Sequence, residues 1–194
     1  EKLGRGEYDS GQYLRIDKGG KQVWIQASYN PILDANGKCF KVVKFATDIT
    51  GQKERNAEFE GQLAAIDKSM AVIEFTLDGQ ILKANENFLK TMGYSLSEIT
   101  RQHHSMFVEP GYRQSAEYKL FWERLGRGQY DAGQYLRLGK NGKQVWIQAS
   151  YNPIIDANGA PFKVVKYATD ITEQKNAAMA TQQVVEDVMR VMSA

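Results

Sequence analysis

The segment GKQVWIQASYNPI occurs twice in the 194-residue chain, as Gly20–Ile32 and again as Gly142–Ile154, without a substitution. Sliding the sequence by 122 positions aligns residues 1–53 with 123–175, and 42 of the 53 pairs are identical. This period is much longer than the roughly 20–50 residues of stacked-repeat units, so a whole domain has been duplicated. In each copy apolar and polar residues alternate, which predicts a β-strand.

The repeat also predicts the domain boundaries. Residues Asn56–Trp122, which precede the second copy, have no counterpart before the first. We therefore predict that residues 1–50 are the C-terminal half of a first domain and that 51–70 form a linker helix. Residues 71–172 are then a complete second domain, and 173–194 form an exit helix.

Composition argues against several classes of protein. The net charge is +2, from 25 basic and 23 acidic residues, and no polybasic stretch offers the phosphate contacts that nucleic-acid binding needs. No apolar run approaches the roughly 20 residues of a membrane-spanning helix, and the first residues do not resemble a signal peptide. The single cysteine, Cys39, cannot form an intramolecular disulfide. We expect a cytoplasmic protein that binds no nucleic acid.

The order of predicted elements in the second domain gives its fold class. Two short β-rich runs, Val72–Leu77 and Ile81–Ala84, flank the hairpin dipeptide Asp78-Gly79. Several short helical segments come next, and then three strand-like segments separated by Asn-Gly turns. This order predicts an α+β fold in which one five-stranded antiparallel sheet carries short helices on one face.

Two segments outside the sheet have the apolar spacing of short coiled coils. The seam of the linker helix comprises Phe59, Leu63, Ile66 and Met70. The seam of the exit helix comprises Ala177, Thr181, Val184, Val188 and Val191. We predict that these helices pair with partner helices, and the alternative is that they pack on their own domain.

Residue patterns typical of catalysis are missing from the sequence. It has no cluster of histidine, cysteine and carboxylate at metal-ligand spacing, no Gly-x-Ser-x-Gly motif and no phosphate-binding glycine loop. We therefore predict that the chain is not an enzyme.

Several motifs resemble those of PAS domains with their C-terminal PAC segment. These are the run N-x-N-F-x-x-x-x-G-Y-S-x-x-E-I (Asn85 to Ile99) and the ending FKVVKYATDIT before EQK. More narrowly, HHSMFVEPGY and VVEDVMRVMSA are similar to the tandem-PAS region of bacterial methyl-accepting chemotaxis transducers, including soluble ones linked to aerotaxis and biofilm dispersal. The resemblance identifies residues 1–50 as a PAC segment.

This resemblance implies a cytoplasmic sensor that dimerises through PAS surfaces and connecting helices. Its exit helix would lead to a C-terminal helical signalling domain. Two alternatives stay open: a cofactor-free PAS dimerisation module, and the sensor part of a histidine kinase or a diguanylate cyclase.

Strand alternation predicts which side chains line the interior. Along the second copy of the repeated strand, Val145, Ile147, Ala149 and Tyr151 form the more apolar face and should point towards the helices. Trp146 then lies on the outer face. We take Ile147 and Tyr151 as candidate pocket residues.

Haem is one candidate cofactor. The only histidines are His103 and His104, and a neutral imidazole is a good axial ligand of haem iron. Since some PAS domains bind haem through one histidine, the resemblance makes either residue a candidate, with an inward Arg137 pairing with a propionate. In the alternative, one imidazole caps a helix or bonds a backbone carbonyl and the other is solvated.

FAD is the second candidate cofactor. The sequence resembles flavin-binding aerotaxis receptors in having a tryptophan at Trp122 and a histidine near His103. Light-sensing LOV domains carry a photoreactive cysteine where this chain has His104, and flavin-contacting asparagine and glutamine where it has Arg137 and Ala168. These differences argue against a LOV-type FMN adduct. A third possibility is a core filled by its own bulky side chains.

Overall fold

The computed structural model describes residues 2–192. The strands are β1 (Asp9–Ile16), β2 (Gln22–Leu33), β3 (Cys39–Asp48), β4 (Ala71–Phe75), β5 (Ile81–Ala84), β6 (Asp131–Leu138), β7 (Gln144–Ile155) and β8 (Pro161–Asp170). The α-helices are α1 (Thr50–Ser69), α2 (Glu86–Met92), α3 (Leu96–Ile99), α4 (Pro110–Arg113), α5 (Ala116–Gly126) and α6 (Thr172–Met192). Short 3₁₀ helices lie at Leu3–Arg5, His104–Phe107 and Lys140–Gly142.

The chain forms two compact units, which divide between Ala64 and Ala65. In the first unit, β1, β2 and β3 make a three-stranded antiparallel meander. Its buried apolar residues within the described chain are Ile25 and Ala27. A three-stranded sheet without covering helices leaves most of its apolar side chains exposed, and Phe45 is 66% exposed.

In the second unit, five antiparallel strands form one sheet in the order β5-β4-β8-β7-β6. The predicted α+β fold with a five-stranded antiparallel sheet is therefore confirmed. Strand β4, the first strand of this unit, ends at Phe75 rather than at the predicted Leu77. Thr76 turns the chain instead, because its backbone N–H and carbonyl bond Gln80 and Gly79 respectively.

The face assignment of the repeated strand is correct. Val145, Ile147, Ala149 and Tyr151 are all buried, and they contribute to a core that the helices of this unit cover. Trp146 is only half-buried on the opposite face, where the ammonium of Lys175 lies 5.0 Å from its ring centroid. Strand β7 therefore presents one face to the interior and the other to the start of α6.

Local capping explains where the covering helices begin and end. The Asn85 side chain accepts the Phe88 N–H at 2.9 Å and so caps α2, which ends at Gly93 with a left-handed φ of 78°. Helix α3 begins with a capping box of Ser95 and Glu98. These caps set where α2 begins and ends and where α3 begins.

The linking helices α1 and α6 contain no buried residue within the described chain. Apolar seam side chains are exposed, with Leu63 at 59% and Val184 at 62%. Packing on the body of the domain does not cover these side chains, so the prediction that they pair with partner helices stays open.

Candidate functional site

The interior of the second unit is organised around the hydroxyl group of Tyr151, which is fully buried. One nitrogen of the Arg137 guanidinium, Nη2, donates to this oxygen at 3.1 Å. On the other side, Nε2 of His104 lies 3.0 Å from it. Three residues predicted as candidates from the sequence thus form one hydrogen-bonded network.

His104 continues this network to helix α5. It opens the 3₁₀ helix His104–Phe107, and its Nδ1 lies 2.9 Å from the hydroxyl of Tyr118. Burial, reinforced by the positive charges of Arg137 and Lys166, holds the pKa of His104 well below its ordinary value. The imidazole is therefore neutral, with one nitrogen donating a hydrogen bond and the other accepting one.

Two buried basic side chains face this network. Arg137 is 4% exposed and Lys166 is 1% exposed, and neither forms an ion pair with a carboxylate anywhere in residues 2–192. Lys166 lies opposite Tyr151 in the β7–β8 ladder, and its ammonium is 5.0 Å from the Tyr151 ring centroid. Burial is the main cause that lowers the pKa of Lys166 well below its ordinary value, and Arg137 adds to it.

Lys166 was missed as a candidate residue. The signal was present, because strand alternation through Val164, Lys166 and Ala168 places all three on one face. A lysine on an inward apolar face is unusual, since lysine is rarely buried without a partner.

The first copy of the repeat carries the same side chains in an exposed setting. Arg15 donates to the Tyr29 hydroxyl at 3.1 Å, and the ammonium of Lys44 lies 5.4 Å from the Tyr29 ring. Arg15 and Lys44 are exposed, whereas their counterparts in the second unit are buried. The first copy therefore provides matched controls in which the residues are the same and burial differs.

His103 has a structural role. Its Nδ1 accepts the Ser105 N–H at 3.0 Å, and its Nε2 therefore carries the proton and donates to the Asp78 carbonyl at 2.7 Å. The alternative from the sequence is half right, because His103 both caps a helix and bonds a carbonyl. It is wrong for His104, which is buried rather than solvated.

Trp122 lies where the interior meets a groove on the surface. Its ring packs edge-on against Phe75 and His104, with centroids 5.6 and 5.4 Å apart. The groove encloses about 530 Å³ and is lined by Leu77, Asp78, His103, Tyr118, Lys119, Trp122, Glu123 and Gly126. Trp122 is thus both a core residue and part of a largely apolar surface depression.

Haem and flavin do not fit the interior as its side chains are arranged. Both ring nitrogens of His103 and of His104 make hydrogen bonds, so neither imidazole has a free nitrogen for iron. The inward side of Trp122 packs against neighbouring rings, including Phe121 at 5.5 Å. The remaining predicted residue, Ile147, is buried in the same core. These residues are joined by packing and hydrogen bonds as the structure stands.

Residues 2–192 also lack two other kinds of feature. No group of three or more histidine, cysteine, aspartate or glutamate side chains in this range is placed to hold a metal ion. No helix within the same described residues is long and apolar enough to cross a membrane.

The lowered pKa values predict an unusual pH profile of stability. Unfolded lysine and histidine bind protons up to their ordinary pKa values of 10.5 and 6.5, whereas folded Lys166 and His104 release theirs at lower pH. The free energy of unfolding should therefore rise with pH towards about pH 10, by up to about 1.4 kcal/mol per pH unit for each group in its window. Above that, unfolded tyrosines ionise while burial raises the pKa of Tyr118 to about 12, so stability should fall.

Urea unfolding between pH 6 and 11 measures this profile. In Lys166→Met the rise on the alkaline side, up to pH 10, should disappear. A wild-type profile that is flat or falling between pH 8 and 10 would contradict a lowered pKa of the buried Lys166.

Comparison with protein families identifies the fold from sequence. A family model described as the PAS fold matches residues 81–168, and one described as the PAS domain matches residues 2–51. Together these matches cover more than half of the chain. The duplicated segment thus belongs to the same family in both of its copies.

Two curated relatives are similar in sequence. The chain is 47% identical over 174 residues to the biofilm dispersion protein BdlA of Pseudomonas aeruginosa, covering 90% of this chain and 42% of that protein. It is 28% identical over 103 residues to the aerotaxis receptor of Escherichia coli, covering 53% of this chain and 20% of that receptor. The chain therefore spans less than half the length of either relative.

A solved structure supports the fold independently. The PAS domain of a protein from Colwellia psychrerythraea superposes with a TM-score of 0.51 and 23% identity, covering 59% of this chain and 98% of that one. The matched families, the relatives and the five-stranded sheet with its covering helices agree, and the chain belongs to the PAS family of sensory domains.

Proposed function

We propose that this chain is the sensory part of a cytoplasmic, chemotaxis-type receptor. In this proposal, a change inside the second unit alters strand β7, and β7 passes the change to the exit helix α6 and to a helical signalling domain. The similarity to the aerotaxis receptor and to BdlA supports the receptor context. The contact between β7 and the start of α6 carries the proposal.

That contact is made by the backbone of Trp146. The Trp146 N–H donates to the hydroxyl of Thr172 at 3.0 Å, and its carbonyl accepts the Ile171 N–H at 2.8 Å. The carboxylate of Asp170 in turn accepts the backbone N–H of Thr172 at 2.9 Å. Because Val145 and Ile147 on either side of Trp146 face the interior, a shift of the strand moves the first turn of α6.

The junction differs in one respect from simple helix capping. The aspartate carboxylate caps the helix, as its side chain suggests, but the threonine hydroxyl bonds the strand. The first copy repeats both features, with Thr50 accepting the Trp24 N–H at 2.9 Å and Asp48 accepting the Thr50 N–H at 2.8 Å. The same arrangement thus connects each sheet to the helix after it.

Pairing of two copies is part of the proposal. The apolar side chains on α6 are exposed, among them Val188 at 52% and Val191 at 77%. A helix of this length is marginal without a partner, and its apolar spacing suits a coiled coil. A homodimer would bring two exit helices together at the entrance to the signalling domain.

The competing proposals differ in the domain to which the exit helix leads. A histidine kinase or diguanylate cyclase sensor would share the PAS fold and the junction, and a dimerisation module would share the exposed seam.

No observation of the interior favours haem, but a Soret band that is lost in His104→Ala would show that His104 can release a tyrosine and bind iron.

Replacing Thr172 with valine tests the junction. The variant keeps the shape of the side chain but leaves the partly buried Trp146 N–H without its acceptor, which should cost about 1–2 kcal/mol. We expect faster amide hydrogen exchange at residues 172–176 by roughly tenfold, because opening the first turn then costs less. Thr181→Val, farther along the same helix, is the matched control. Equal exchange rates at residues 172–176 in both variants would refute the claim that Thr172 links β7 to the first turn of α6.

A further inference from the structure

The interior of the second unit contains two basic side chains that form no ion pair with any acidic group of the described residues 2–192. Arg137 and Lys166 are both buried, and the ion pairs of that unit lie elsewhere, for example between Lys163 and Glu74. The nearest acidic residue on strand β6, Asp131, accepts a hydrogen bond from Tyr135 at 2.5 Å and is not within ion-pair distance of Arg137. Buried charges in proteins are normally paired, and Arg137 stays charged when buried. This interior is therefore suited to an anion, which would also favour the protonated form of Lys166.

One edge of the Arg137 guanidinium has a hydrogen-bond donor without a partner in the described chain. Nη1 donates to the Leu136 carbonyl at 2.9 Å, and Nη2 donates to Tyr151. Nε is buried and has no hydrogen-bond partner in the described chain. Nε and Nη2 form the same edge of the guanidinium, which is the edge that binds a carboxylate through two parallel hydrogen bonds. Tyr151, at 3.1 Å from Nη2, occupies only one of these two positions.

We propose that the interior of the second unit binds a small organic anion through a carboxylate group, with Arg137 as the bidentate partner and Lys166 as the second counter-charge. The surroundings suit an organic body, because the Arg137 guanidinium lies 4.7 Å from the Tyr135 ring centroid and the Lys166 ammonium lies 5.8 Å from that of Phe88. The planar carboxylate matches the guanidinium edge in shape. A nearby anion favours the protonated form of lysine, and two cations favour a dicarboxylate over a monocarboxylate.

This inference rests on the proposed sensory function and names the ligand class of the same interior. Tyr151 accepts from Arg137 and contacts His104. A carboxylate that takes the Nε–Nη2 edge competes with Tyr151 for Nη2, so binding must shift the Tyr151 side chain. Tyr151 is on β7, which also carries Trp146, so the ligand would act on the strand that meets α6.

Calorimetric titration of the purified chain with succinate and with acetate tests the proposal. Chloride and inorganic phosphate at matched ionic strength serve as comparison anions. We expect saturable binding of succinate, weaker binding of acetate and no saturable binding of chloride or phosphate. Arg137→Lys keeps the charge but removes the two-donor edge, and it should weaken succinate binding roughly 10- to 100-fold. Lys166→Met should weaken it at least tenfold.

Arg15→Lys is the matched control, because Arg15 is the exposed counterpart of Arg137 in the first copy. It should leave succinate binding unchanged. If Arg137→Lys fails to fold, as judged by circular dichroism, Lys166→Met decides, since it removes an unpaired buried amine and should stay folded. Equal binding of succinate and phosphate, binding that survives in Lys166→Met, or no binding at millimolar succinate would overturn the proposal. The Thr172→Val exchange experiment would still test the relay, since it involves no ligand.

Discussion

Replacing Tyr151 with phenylalanine should lower the free energy of unfolding by about 3 kcal/mol, although it removes only one oxygen atom. That oxygen satisfies Nη2 of Arg137 and Nε2 of His104, and all three residues are buried. Without it, a charged donor and an imidazole nitrogen lose a partner in a place that water does not reach. Leaving buried groups unpaired costs more than forming the bonds gains, which is why the effect is large.

Tyr29→Phe is the control for this prediction. Tyr29 occupies the same position in the first copy and accepts a hydrogen bond from Arg15, but Arg15 is exposed and water can replace the hydroxyl. We expect a loss of about 0.5 kcal/mol or less there. Urea unfolding of both variants measures the difference. If the two variants lose the same stability, burial of the Tyr151 network is not what makes it important.

Replacing Gly79 with alanine should also be strongly destabilising, by about 3 kcal/mol. Gly79 has φ of +90°, and a Cβ there would lie 2.6 Å from His103 Nε2 and 2.8 Å from the Trp122 ring. Neither ring can move easily, because His103 is hydrogen-bonded at both nitrogens and Trp122 packs against Phe75. Backbone strain and overpacking therefore add.

Gly159→Ala separates these two causes. Gly159 has φ of +84°, yet a Cβ there would meet no atom within 4 Å. It should cost about 1 kcal/mol through backbone strain alone. Thermal unfolding of both variants compares them directly, and an equal loss of stability would show that the approach of His103 and Trp122 to Gly79 is not tight.

Much of the fold can be predicted from local sequence. Alternation along β7 correctly assigns Tyr151 to the interior and Trp146 to the outer face, because a half-buried strand must place successive side chains on opposite sides. The Asn85 cap, the Ser95 capping box and the Gly93 helix end are also predictable, since each depends on residues within one turn of helix.

The candidate site was only partly predictable. His104 and Arg137 were identified as candidates, but their roles depend on contacts with Tyr151 and Tyr118, which are distant in sequence. Strand alternation places Lys166 on the inward face, but its position opposite Tyr151 depends on the β7–β8 register. Which of two adjacent histidines points inward depends on the 3₁₀ helix that begins at His104, and no periodic pattern records that.

The central claim is that a change at Tyr151 reaches the start of α6 through β7. Amide hydrogen exchange of residues 171–176, compared among wild type, Tyr151→Phe and Tyr29→Phe, tests it most directly. The first turn of a helix opens locally, so its exchange reports the junction rather than global stability. We predict faster exchange there in Tyr151→Phe and no change in Tyr29→Phe. If exchange in β7 increases in Tyr151→Phe while residues 171–176 stay as in wild type, the interior and the exit helix are not coupled.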